Sequence, residues 1–207
     1  GFLVVDLRNR LTTLCFQGDS GIVSRFTEDD LTWKEIGVCH GCRIATIFWN
    51  LWQEVHDEVM TDIKKMISSY PQNRLVITGH NFGGSVATLA AAILSEYVPG
   101  RKAELFTYGS LRAGNEAFAE YVSSNVDVYR VTHKADVIPL LPGRSLGFRH
   151  PGPEYFITSD NERMVTESDI RVIEEGDSAT GNGQYAVMDA SWAGNKWYFG
   201  NIDAGKE

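Results

Sequence analysis

No apolar run in this 207-residue chain approaches the roughly 18 residues that a membrane span needs. No basic excess is present either. Lysine and arginine number 19 against 27 acidic residues, a net charge of −8, whereas a nucleic-acid surface demands a basic face. The acids are spread along the chain, which predicts a solvated surface rather than an acidic binding arm. Neither G-x-G-x-x-G nor a G-K-[ST] ending occurs, which argues against a nucleotide site. No Asn-x-Ser/Thr sequon occurs. The opening residues GFLVVDLRNR lack the basic start, long apolar centre and small-residue cleavage site of a signal peptide. The sequence is therefore expected to be a mature or truncated product.

Cysteine is scarce: Cys15, Cys39 and Cys42. The run C-H-G-C reads as a redox pair, half a zinc site or a small disulfide loop. No second cysteine pair completes a zinc site and no βαβ unit precedes the run, so a structural Cys39–Cys42 disulfide is favoured, and with it an oxidising compartment. Cys15, in the apolar stretch LTTLCF, reads as a buried small hydrophobe.

What is present suits a folded globule: 43% hydrophobic residues and 11% aromatics, in a length that one domain of about 50–250 residues accommodates. One domain over 1–207 is expected. Strand-like runs at 1–7 and 11–16 flank the turn Asn9-Arg10 and predict a hairpin. From 46 to 69, Ile47, Leu51, Val55, Val59, Ile63 and Ile67 recur every fourth residue, with Phe48, Trp52 and Met66 beside them, predicting a long amphipathic helix that stops before Pro71. RLVITG at 74–79 is almost uniformly apolar, as for a strand covered on both faces of a parallel sheet. A helix rich in Gly and Ala follows from 82. A strand is expected at 103–109, a helix at 115–125 and a strand at 126–133. Alternating strands and helices mean an α/β fold with a mostly parallel central sheet.

The stretch LVITGHNFGGSVATLAAAIL, residues 75–94, breaks from strand to helix through Gly79-His80-Asn81-Phe82-Gly83. That is the form of a nucleophile elbow, G-x-S-x-G, in which a sharp turn lifts one side chain above the sheet. Its middle residue here is Asn81. An elbow of this kind requires an acid after a later strand, then a histidine near the C-terminus. Asp136 fits the first requirement, just beyond the strand ending at His133. No histidine follows His150.

The segments CFQGD (15–19), CHGC (39–42), VITGHNFGGS (76–85), YGSLRAGNEAFAEY (108–121), YRVTHKADVIPLLP (129–142), HPGPEYF (150–156) and WYFGNI (197–202) resemble, in order and spacing, the fungal class 3 lipases, a family of secreted triacylglycerol lipases and related feruloyl esterases. The resemblance implies an α/β-hydrolase fold, here without the family's N-terminal helix and first strand. It places the family's serine at Asn81, its acid at Asp136, and the histidine of H-x-x-Y-[FW]-G at Asn195. The oxyanion donors fall on Phe82 and on Asp19, where relatives carry serine or threonine. The lid falls on the loop with Ile22, Val23 and Phe26. His80, His133 and His150 match family positions that are not the catalytic base. Secretion is implied, and no cofactor or metal.

An amide at Asn81 neither yields a proton near neutral pH nor attacks an ester well, and Asn195 is no general base. An ionised Asp19 about 4 Å from a developing oxyanion would oppose it by roughly 4 kcal/mol at an effective dielectric near 20. The expectation is a lipase-like pseudoenzyme that binds a lipid or fatty acyl ligand, or a protein partner. In its expected polar network Asn195 donates to Asp136, and Asn81 donates to Asn195 or Asp19. The competing expectation is a lipase or esterase with a rebuilt site, active or limited to one turnover.

Overall fold

The structure, a computed structural model, describes residues 1–18, 27–97, 100 and 102–202. Its strands are β1 (Phe2–Asp6), β2 (Leu11–Phe16), β3 (Trp33–Glu35), β4 (Arg43–Ala45), β5 (Arg74–His80), β6 (Ala103–Tyr108), β7 (Gly114–Asn115), β8 (Val126–His133), β9 (Phe148–Arg149), β10 (Glu154–Ile157) and β11 (Ile170–Ile173). Its α-helices are α1 (Thr46–Ser69), α2 (Asn81–Leu94) and α3 (Glu116–Asn125). Seven strands form the main sheet in the order β1-β2-β5-β6-β8-β10-β11. The five inner strands run parallel. The edge strands β1 and β11 are antiparallel to their neighbours. A small antiparallel sheet, β3-β4-β7-β9, stands beside it.

The hairpin is present, with Phe2 opposite Cys15 and Asp6 opposite Leu11. Its turn is stabilised by Asp6, which accepts from the backbone N–H groups of Arg8 and Asn9. Helix α1 has the expected bounds, but its buried line is Phe48, Trp52, Met60 and Ile63. Ile47, Leu51, Val55, Val59 and Ile67 are only partly buried. A step of four residues advances about 400°, so an every-fourth series drifts about 40° per step around a helix of 3.6 residues per turn. The buried stripe cuts across that series.

Strand β5 departs from expectation in a second way. Leu75, Ile77 and Gly79 are buried on the helix-covered face, but Val76, Thr78 and His80 alternate with them and stay partly exposed. Strand β6 repeats the pattern, with Phe106 and Tyr108 partly exposed. No described helix covers that face. Cys15 lies in the same sheet and is free and half-buried rather than a core residue.

The core sits between the sheet and its helices. Helix α2 lies deepest, with all of its residues but Ile93 buried. Its small residues permit this approach: a Cβ at Gly83 would lie 2.4 Å from the Phe16 carbonyl oxygen. Parallel pairing sets Phe16 beside Gly79, Gly79 beside Thr107, and Thr107 beside Arg130. The C-terminal ends of these strands therefore align, and chain segments beyond them meet at one edge of the sheet, where α/β folds place their sites.

Candidate functional site

Strand β5 ends at His80 and α2 begins at once, which forces Asn81 to a left-handed φ of +53°. A non-glycine residue there is uncommon and marks a position that the surroundings impose. Asn81 is only 1% exposed. Its Nδ2 donates to Asn195 Oδ1 at 2.6 Å. Its own Oδ1 accepts from the backbone N–H of Phe82 at 2.6 Å, at the helix start where such donors otherwise face an anion.

Asn195 comes from the short 3₁₀ turn Gly194–Lys196. Its Nδ2 donates to Asp136 Oδ2 at 2.7 Å and to the Gly109 carbonyl at 3.0 Å. Asp136 follows β8, fully buried. Its Oδ2 also accepts from the Tyr198 hydroxyl at 2.5 Å, and its Oδ1 accepts the Ile138 N–H at 2.9 Å. Burial pushes the Asp136 carboxyl up to about 7, against the lowering effect of the bonds from Tyr198, Asn195 and Ile138. Asn182 fastens the loop by donating to the carbonyls of Asp136 and Lys134.

The structure thus brings together Asn81, Asp136 and Asn195, residues far apart in sequence, with Phe82 beside them. Asp19, Ile22, Val23 and Phe26 lie outside the described residues. The histidines near this chain of amides face backbone carbonyls. His80 Nε2 lies 2.7 Å from the Asn195 carbonyl oxygen, and burial lowers the His80 pKa, against that hydrogen bond. His133 lies between the Gly194 and Ser159 carbonyls. His150 points at Pro139, deeply buried beside Arg130 and Arg112. Cys39 and Cys42 are joined by a disulfide. Their loop is held to the start of α3 through Asn115, which donates to the Gly41 carbonyl and accepts from Arg43 N–H.

Two contributors were not singled out from sequence. Tyr198 supplies the shortest hydrogen bond to Asp136 among the described residues, and its place in the H-x-x-Y-[FW]-G pattern was the available signal. Gly109 has a φ of +52°, and a Cβ there would lie 2.3 Å from Asn195 Nδ2 and 2.6 Å from Asp136 Oδ2. Only glycine leaves room for the polar chain.

A parallel sheet, an elbow with left-handed geometry and an acid beyond a later strand define an α/β-hydrolase fold. Comparison with known proteins gives the family. Residues 13–146 match the family described as Lipase (class 3). The chain is 36% identical to a secreted mono- and diacylglycerol lipase A of Penicillium cyclopium, over all of this chain and 68% of that protein. It is 32% identical to a secreted mono- and diacylglycerol lipase 1 of Fusarium solani, over 84% of this chain and 52% of that protein. Among solved structures, a fungal lipase aligns with a TM-score of 0.90 at 35% identity, covering all of this chain and 76% of its own. A mono- and diacylglycerol lipase from Aspergillus oryzae aligns with a TM-score of 0.89 at 28% identity, over 97% of this chain and 75% of its own. The chain belongs to the class 3 lipase family.

Proposed function

We propose that this chain is a class 3 lipase-like pseudoenzyme, with Asn81, Asp136 and Asn195 at the triad positions and the Ser-His-Asp ester chemistry lost. The observation that carries the reading is the bond from Asn81 Nδ2 to Asn195 Oδ1, continued from Asn195 Nδ2 to Asp136. In a working triad the imidazole removes the serine proton while the acid fixes its tautomer. Here each link is an amide donating a hydrogen it keeps. Loss of serine or histidine alone costs a comparable triad enzyme of unrelated fold on the order of 10⁶ in turnover. Asn81 Oδ1 also occupies the Phe82 N–H, a donor that an ester carbonyl would need in the transition state.

The function left to the scaffold is binding. The relatives named as mono- and diacylglycerol lipases support a fatty acyl ligand ahead of a protein partner. The disulfide and the relatives' description as secreted support a place outside the cell. A rebuilt hydrolytic site is less well supported. Asp136 is separated from Asn81 by Asn195, and both of its oxygens are engaged.

The test is a short-chain ester assay on the unaltered chain beside the Asn81→Ser, Asn195→His double variant, with a fluorescent fatty acid titrated in parallel. The expected outcome is fatty acid binding without hydrolysis by the unaltered chain. Turnover by the unaltered chain that disappears in Asp136→Ala would overturn the proposal.

A further inference from the structure

A groove of about 540 Å³ runs along the outer stripe of α3 and contains no residue of the polar chain at the elbow. Its size lies within the roughly 300–1,000 Å³ of small-molecule sites. Glu116, Glu120 and Ser123 recur at helical spacing on the α3 wall, while Arg144, Arg149 and Glu174 come from the surrounding loops. Among the described residues, none of the five charged side chains has an opposite charge within 4.0 Å. Opposite charges border one cavity and leave each other unpaired.

Arg149 is already positioned. Its Nη1 donates to the carbonyls of Arg144 at 3.0 Å and Phe148 at 2.8 Å, and the guanidinium of this half-buried residue has no carboxylate partner among the described residues. Such a fork matches the oxygens of a phosphate, and fixing it beforehand lowers the entropic cost of binding. The deeper groups are committed elsewhere: Asp177 accepts from Arg112 and from the His150 N–H, and His150 Nε2 faces the Pro139 carbonyl.

A lone anion would meet three carboxylates beside two guanidinium groups, and a lone cation would meet the guanidinium groups. A molecule carrying both charges on a short linker satisfies both sets. We propose that this groove binds a phosphoammonium zwitterion of the phosphocholine or phosphoethanolamine type, phosphate toward Arg149 and Arg144, ammonium toward Glu116 and Glu120.

Phosphocholine titrated calorimetrically into the full chain should bind saturably. Inorganic phosphate alone and choline alone should bind at least about tenfold more weakly. Arg149→Gln and Glu120→Gln should each weaken phosphocholine by about tenfold or more at unchanged melting temperature, and Glu116→Gln replaces either variant whose melting shifts. Absence of saturation up to about 10 mM, phosphate alone binding as tightly as phosphocholine, or undiminished binding by the variants would each overturn the proposal. Co-sedimentation with phosphatidylcholine vesicles and not with phosphatidylglycerol vesicles, competed by free phosphocholine, would support a lipid headgroup as the source. Binding of free phosphocholine without co-sedimentation would support a soluble compound.

Discussion

Asn81 Nδ2 lies 2.6 Å from Asn195 Oδ1, a contact across 114 positions of sequence between two buried amides. Each amide uses both ends: Asn81 donates to Asn195 and accepts from Phe82, while Asn195 accepts from Asn81 and donates to Asp136 and Gly109. The two asparagines satisfy one another, as buried polar groups must. Changing one alone leaves the other without its partner.

That coupling predicts strongly non-additive behaviour. Asn81→Ser and Asn195→His as single changes should yield no ester turnover above the Asp136→Ala background, because a serine without a base and a base without a nucleophile are equally idle. The double variant should show turnover. Initial rates on a p-nitrophenyl short-chain ester check this, and gain in either single variant equal to the double would contradict it.

Gly109→Ala should disrupt the whole polar chain. The new Cβ would crowd Asn195 Nδ2, Asp136 Oδ2 and the Tyr198 hydroxyl at a φ of +52°, where a side chain is itself unfavourable. Combining the left-handed penalty with overpacking, the expected cost is about 3 kcal/mol. Urea unfolding at pH 8 measures it. A loss below about 0.5 kcal/mol, the ordinary surface range, would show that the cradle relaxes freely.

How much of this was legible in sequence depended on whether a pattern was local. The hairpin, α1, the strand-to-helix break at Asn81 and the presence of α3 follow from turn residues and periodicity; α3 starts one residue later than expected because Asn115 caps it, accepting from Phe118 N–H. RLVITG was misread because a uniformly apolar run carries no alternation, so exposure of Val76 and Thr78 had no signal. Strands of two or three residues, such as β7 and β9, are too short to show any period. Asp136 stood out by its place just beyond a predicted strand, as an elbow requires, whereas Asn195 stood out only by family resemblance, since a lone asparagine has no periodicity. The contact with Tyr198 depends on two separate loops meeting, which residue spacing does not encode.

The Cys39–Cys42 bond should contribute modestly to stability. It closes a loop with a sequence separation of only 3, so the chain-entropy gain from constraining the unfolded state is small, about 2 kcal/mol. Melting with and without a thiol reductant should differ by roughly 4–8 °C for a chain of this size. The position of the loop against Asn115 predicts that amide exchange on reduction rises first around 39–43 and the start of α3.

Two carboxyls, the buried Asp136 and the partly buried Asp177, give stability opposite dependences on pH. Asp136 titrates at about 7 in the folded protein against an ordinary 3.8. Between those values the folded state holds a proton that the unfolded chain has released, so stability falls as pH rises from about 4 to about 7 and then levels, by on the order of 4 kcal/mol. Burial would raise Asp177 as well, but it lies at about 2, held down by charge-assisted bonds. The cation that counts is Arg112, which donates twice to Asp177 Oδ1, because burial and the neighbouring arginines keep His150 neutral to well below its ordinary value. The stabilisation from Asp177 is therefore complete above about pH 4 and is lost as pH falls through about 2, by on the order of 2 kcal/mol. Taken alone, the two carboxyls would place maximal stability near pH 4. His80 and His150, whose pKa values burial lowers, oppose the Asp136 limb below about pH 6.5, where the unfolded chain holds protons that the folded state does not, so the net fall from pH 4 to pH 8 is smaller than Asp136 alone would give. Asp136→Asn should remove the falling contribution between pH 4 and 7 and leave the rise due to His80 and His150, whatever its cost at a single pH. Asp177→Asn should instead lower stability by about 3–5 kcal/mol at pH 7, by leaving the buried Arg112 without its counter-charge. Denaturant unfolding across pH 2–8 separates the two, and an Asp136→Asn profile parallel to that of the unaltered chain between pH 4 and 7 would show that Asp136 does not carry the fall.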